Sequence, residues 1–378
     1  MSATRKLLRE LIALPSVNPA YLPSREEWTG ERRVAGFLAV EAARVGLATE
    51  SQEVLPGRAN LLVRYQPQGP VRQRILLAPH LDTVGGAPCS QALFRPREAN
   101  GRLFGRGACD AKGSAAALFT ALARITRTRQ RPRHTEIIFA GLVDEEHAQS
   151  GSRALAASGF KADLAIVGEP TRLEVVTAHK GDLWLQLETR GRSAHGARPD
   201  LGRNAVHAMC RIVHLLETEY AAALRGRRHP LLGHATVSVG SIHGGTQPNV
   251  VPAQCVCEID RRTLPGETEA SAIREIKALL RRHRLAASLA NSKGAPCLPL
   301  ETDPRLPLVR QFLRSVGRRR PAGVHFFCDA SVLAHGGIPS VVFGPGDIAQ
   351  AHTQEEWISL AALDRATELL TRFVSSLP

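Results

Sequence analysis

The chain has 378 residues, 43% of them apolar and 22% charged, a balance that excludes long disorder and collagen-like structure. Its length suits about two domains, and no apolar run approaches the roughly 18–20 residues of a membrane helix. The formal charge is +14, but the cations are mostly Arg in short scattered runs and aromatics are only 4%, so platforms for stacking bases are few and nucleic acid is set aside as a partner.

In chain order, Leu7, Leu8, Leu11, Ile12 and Leu14 are spaced as one face of a helix interrupted by Arg9 and Glu10. That is not the apolar core of a signal peptide, and a cytoplasmic protein is expected. Residues 74–78, 136–143, 164–167 and 340–343 are short apolar runs bounded by Gly and Pro, as suits strands covered on both faces. Residues 113–125 are Ala-rich and read as a helix between the first two. The middle of the chain changes character. Residues 183–189, 235–240 and 254–260 alternate as half-exposed antiparallel strands do, and helical periodicity runs over 204–220 and 268–284. An α/β domain interrupted by a smaller α+β domain is expected, with boundaries at 1–179, 180–291 and 292–378. The seven cysteines include no Cys-x-x-Cys pair, so a disulfide framework or zinc finger is not expected, and Cys255 and Cys257 fall on one face of a strand, where packing is their expected role.

Each buried strand gives way to polar residues. Pro79-His80-Leu81-Asp82 comes after the first, Asp144-Glu145-Glu146 after the second, Gly168-Glu169-Pro170 after the third, and Gly344-Pro345-Gly346 after the last, with His352 shortly beyond. Ligands of open α/β sheets bind beyond the carboxyl ends of the strands. Each residue alone reads as a helix cap or a solvated loop residue, whereas together they place imidazoles and carboxylates along one sheet edge. Asp110 adds a further acid in the Gly-rich stretch 105–113, which lacks the residue order of a phosphate loop. The alternative of a different class is a basic α/β binding protein whose acids are solvated caps.

At His80-Leu81-Asp82-Thr83-Val84, the stretch 105–113, Val143-Asp144-Glu145-Glu146, Gly168-Glu169-Pro170-Thr171, Ser193-Ala194-His195-Gly196, the stretch 244–252 and Ala351-His352-Thr353, the chain resembles the two-zinc aminoacylase and exopeptidase family. That family includes acetylornithine deacetylases, succinyl-diaminopimelate desuccinylases and glutamate-releasing carboxypeptidases. The resemblance implies a zinc-exopeptidase-like mixed sheet covered by helices, with the inserted domain acting as a lid and dimerisation domain of a homodimer. It implies two divalent ions, zinc or cobalt. His80 and Glu169 would bind one, Glu146 and His352 the other, and Asp110 both, with a cis Asp110–Ala111 peptide.

The resemblance further implies that Asp82 holds the other ring nitrogen of His80, that Glu145 is the general base, and that His195 of a partner subunit is the oxyanion donor. Asn249 and Arg262 would hold the substrate. Arg261 stands beside Arg262, so which of the two faces the site is open, as is the role of Asp329. The chemistry agrees with the donors: imidazole and carboxylate suit zinc and its first-row neighbours. Glu145 and Glu146, adjacent on extended chain, point apart, so one is free when the other binds. The flanks at 168–171, 178–181 and 344–352 are most similar to those of acetylornithine deacetylases. They imply hydrolysis of a small N-acyl amino acid, with a desuccinylase, then a dipeptidase or carboxypeptidase, as alternatives.

Overall fold

All four apolar runs are buried strands in the computed structural model, which describes residues 1–86, 89–128 and 131–378. The chain divides into two compact units. The first comprises Met1–Thr177, Glu301–Ala322 and Cys328–Pro378, and the second Ala178–Leu300 and Gly323–Phe327.

The sheet of the first unit is mixed. Its spatial order is Ala48–Leu55, Arg58–Tyr65, Thr135–Gly141, Gln73–Ala78, Leu164–Val167, Ser340–Val342, and then Val176. The four strands from Thr135–Gly141 to Ser340–Val342 are mutually parallel, and the outer Ala48–Leu55 and Arg58–Tyr65 pair is antiparallel. The carboxyl ends of the four parallel strands therefore point the same way. Ile75, Leu77, Ile137, Phe139 and Ile166 pack with helix Lys112–Ile125 and with Leu363, Leu370 and Phe373 of helix Leu360–Ser375 in one core. Phe312 lies edge-on to Phe343 and Phe373, at ring-centroid distances of 5.2 and 4.9 Å. A separate small sheet pairs Arg97–Ala99, Arg102–Phe104 and Trp357–Ser359.

The second unit is an antiparallel sheet in the order Thr236–Gly244, Gln254–Thr263, Gly181–Arg190 and Ser288–Asn291. Leu185, Leu187, Cys255, Cys257 and Ile259 bury one face with Met209 and Ile212 of helix Ala205–Leu215 and Ile276 and Leu280 of helix Glu269–Arg282. Alternation along these strands has its cause here, since only that face is covered. The predicted helix over 204–220 is not uniform: it is α-helical to Leu215, widens into a π turn over Leu216–Tyr220, and ends in a short helix Ala221–Arg225. Among the described residues no helix is long and apolar enough to cross a membrane.

Candidate active site

The parallel strands deliver their polar ends to one region. His80 leaves the Gln73–Ala78 strand, the 144–146 turn follows Thr135–Gly141, and Glu169 follows Leu164–Val167. Beyond Ser340–Val342, Gly344 lets the chain run against the Glu169 segment. A Cβ on Gly344 would lie 2.5 Å from the Glu169 carbonyl oxygen, and the Gly344 N–H donates to Thr171 Oγ1 at 3.1 Å. The same segment then carries His352, in left-handed conformation at φ 60°. Asp110 precedes helix Lys112–Ile125 and its peptide to Ala111 is cis.

Two groups of possible metal ligands result, His80–Asp110–Glu169 and Asp110–Glu146–His352. Within each, the donor atoms lie within 4.8 Å of one another. Asp110 belongs to both. Its Oδ1 is 3.1 Å from His80 Nε2, and its Oδ2 is 3.4 Å from His352 Nε2. His80 Nε2 is 3.8 Å from Glu169 Oε1, and His352 Nε2 is 3.1 Å from Glu146 Oε2.

Crowding of buried acids governs the electrostatics. Burial pushes Glu169 and Glu145 well above the usual carboxylate range against the pull of His80, and it pushes Glu146 up to about 6. Burial works against the charge of Asp110 too, but hydrogen bonds from His352 and His80 hold its carboxyl below the usual range. His352, bonded to Asp110 and Glu146, is raised to about 10. So many acids in one place call for positive charge. Glu146 Oε1 is moreover buried with no hydrogen-bond donor. Carboxylate and imidazole donors around a shared carboxylate fit a pair of first-row divalent ions.

The profile of peptidase family M20/M25/M40 matches residues 76–376. The chain belongs to that family. It is 32% identical over 349 residues to an acetylornithine deacetylase of Myxococcus xanthus, covering 89% of each chain. It is 31% identical over 385 residues to an acetylornithine deacetylase of Edwardsiella ictaluri (strain 93-146), covering 97% of this chain and 96% of that protein. Among solved structures, an M20 family metallo-carboxypeptidase of Sulfolobus solfataricus matches with a TM-score of 0.77 at 17% identity, over 99% of both chains. The chain is thus a metal-dependent hydrolase of the M20 fold.

Asp82 of this M20 chain lies against the other ring nitrogen of His80, through both its main chain and its carboxylate. The main-chain oxygen of Asp82 is the nearer acceptor for His80 Nδ1, at 3.0 Å, and its carboxylate stands 3.5 Å away. The carboxylate oxygens also accept from the N–H groups of Glu145 and Glu146, both at 3.1 Å, and from Asn18 Nδ2 at 2.7 Å. Asp82 therefore orients both the imidazole and the paired glutamates.

His195, Asn249 and Arg262 belong to the second unit. His195 and Asn249 lie on adjoining loops, where the Gly196 N–H donates to the Asn249 carbonyl oxygen at 2.7 Å. Arg261 is fully buried with Tyr220 and Glu267, whereas the Arg262 side chain is 30% exposed and pairs with Asp260 at 2.8 Å. Of the two, Arg262 is the more exposed, and its Nε and Nη2 both donate to the Asp260 carboxylate.

Sequence reasoning missed the support that Glu31, Arg58 and Tyr21 give these residues, and it left the role of Asp329 open. Arg58 pairs with Glu31 and with Asp144 at 3.0 Å, and Asp144 is held at φ 67° just before the paired glutamates. The Tyr21 hydroxyl donates to the Glu146 carbonyl oxygen, and burial raises its pKa to about 12. Asp329 is buried at the start of helix Asp329–His335 and accepts from Ser152 Oγ at 2.5 Å. Burial pushes Asp329 up to about 7. No local pattern marks such partners. Only the tertiary pairing does.

Proposed function

We propose that this M20 enzyme hydrolyses the amide of a small N-acyl amino acid, with N-acetylornithine as lead substrate and ornithine and acetate as products. Such an enzyme would act in the cytoplasm, in arginine biosynthesis. The observation that carries the reading is the convergence of His80, Asp110, Glu146, Glu169 and His352 around the two oxygens of Asp110. The similarity to acetylornithine deacetylases over most of the chain supports the substrate.

His80, Asp110 and Glu169 would hold one zinc ion, and Asp110, Glu146 and His352 a second, with cobalt as a substitute. When bound, such ions polarise a carbonyl and acidify water. The chain's own work is proton transfer and positioning. Glu145, beside Glu146 but in neither ligand group, takes the proton of the attacking water and delivers it to the leaving amine. Asp82 keeps it in place through the Glu145 N–H. His195 from a partner subunit would donate to the oxyanion, and Asn249 and Arg262 would hold the substrate, Arg262 by exchanging the Asp260 carboxylate for that of the substrate as a bidentate fork. The inserted domain is then a lid and dimerisation domain.

Turnover of N-acetylornithine and N-succinyl-diaminopimelate, measured side by side with zinc or cobalt, tests the substrate. Preference for the first is expected. Preference for the second makes the enzyme a desuccinylase, and negligible turnover of both rejects the two assignments. Glu145→Gln is expected to retain two metal ions and lose at least about 100-fold in kcat. A near-normal rate removes Glu145 as the base.

A further inference from the structure

Glu356 belongs to neither ligand group, yet it is 2% exposed and its side-chain hydrogen bonds go to the segment that carries Asp110. Its Oε1 accepts from the N–H groups of Cys109 at 2.8 Å and Asp110 at 3.0 Å. Its Oε2 accepts from the Gly107 N–H at 3.0 Å and from Arg106 Nη1 at 2.9 Å. All four partners are donors, so only a carboxylate satisfies them together. Charge-assisted bonds to backbone N–H groups are among the stronger ones a buried side chain makes.

The backbone seats Glu356 there. Trp357–Ser359 pairs antiparallel with Arg102–Phe104, and the Gly105 N–H donates to the Glu356 carbonyl oxygen at 3.0 Å. The 105–110 loop therefore begins where the segment from His352 ends. One side chain joins the segment bearing the shared carboxylate to the segment bearing His352. The His352 side chain is 54% exposed, whereas that of His80 is 1% exposed on the main sheet, so His352 depends more on how its own segment is held.

We infer that Glu356 is a positioning residue of the metal centre, holding Asp110 in register with His352 so that the ion shared by Asp110, Glu146 and His352 is bound tightly. This rests on the two-metal reading of the site. Glu356→Gln replaces one acceptor oxygen with an NH2 group. Whichever way the amide turns, that NH2 faces two donors, either Cys109 and Asp110 or Gly107 and Arg106, and the loop must shift.

The test is competition of the chelated, refilled protein against a chromophoric chelator for Zn2+, with the visible spectrum of Co2+ as a second readout and the thermal midpoint recorded in parallel. Wild type is expected to take up two ions. Glu356→Gln is expected to weaken one ion about 10–100-fold, the usual cost of losing a partner behind a ligand, and the other, which shares only Asp110 with it, by clearly less. The Co2+ bands of the affected site change with it. Glu356→Asp keeps the charge on a shorter reach and should show a smaller loss confined to the same ion. It carries the test alone if Glu356→Gln does not fold. Two ions bound with unchanged affinities in the variants overturn the inference. So does an equal weakening of both ions that follows the fall in midpoint, because that is mere destabilisation. Fewer than two ions in wild type is a different failure, and it sinks the two-metal reading itself.

Discussion

Lys112 is fully buried two residues after Asp110, and its Nζ donates to the carbonyl oxygens of Leu11 at 2.9 Å and Leu14 at 2.7 Å. It thereby bonds the carbonyls where helix Ala3–Ala13 ends, the Leu11 oxygen accepting also from the Leu14 N–H at 3.2 Å. Burial pulls its pKa down from 10.5 to about 7. Between these values the unfolded chain carries a proton that the folded chain does not, so folding releases a proton and is favoured as pH rises. Below about 7 both states are protonated and the gain is absent. Urea unfolding of wild type and Lys112→Met, both freed of metal, at pH 7 and pH 9 checks this. The stability of wild type relative to the variant should grow with pH, by at most about 1.4 kcal/mol per unit. A constant difference means the amine stays charged in the fold. The residue order around Lys112 sets a phosphate loop aside but gives the lysine no partner. Here its partners are carbonyls about a hundred residues away, which no spacing rule reveals.

Helix Ser150–Ala157 sets where the paired glutamates leave the sheet. The Gly151 N–H donates to the Val143 carbonyl oxygen at 2.9 Å, and Asn60 bridges the Val143 N–H and the Gly151 carbonyl. A Cβ on Gly151 would stand 2.6 Å from both N and O of Val143 and 2.5 Å from Asn60 Oδ1. These are backbone and fully engaged atoms, so they cannot yield cheaply. Gly151→Ala should lower stability by about 1–3 kcal/mol, the usual range for overpacking, measured by urea unfolding. A change under about 0.5 kcal/mol, the size of an ordinary surface substitution, means the helix moves freely against the strand exit. The strands themselves were legible because runs such as Ile75–Ala78 and Ile137–Ala140 are apolar on both faces, and their exits could be read one after another for His80, Glu146 and Glu169. The pairing of Arg102–Phe104 with Trp357–Ser359 was not legible, because such short strands carry no period. The Glu31–Arg58–Asp144 cluster was hidden for another reason: its members stand 27 to 113 positions apart and each alone looks like a surface charge.

At the scale of the molecule, every member of the two ligand groups belongs to the first unit, although the chain leaves that unit at Thr177 and returns at Glu301 between Glu169 and His352. Among the described residues the second unit holds no comparable group. A ligand that binds only the folded form stabilises it by mass action, about 2.7 kcal/mol at a hundredfold excess over Kd, and where it ties distant segments it also suppresses their separate opening. Refilling the chelated protein with Zn2+ should therefore slow amide hydrogen exchange around His80, residues 105–112, 142–149 and 344–356. The antiparallel strands Gln254–Thr263 and Gly181–Arg190 should exchange as before. Exchange that slows equally in both units would mean that metal binding is coupled to the order of the inserted domain. Exchange unchanged in the first unit would mean that the five residues do not hold the ions, and the excess of buried acid along this sheet edge would then need another source of positive charge.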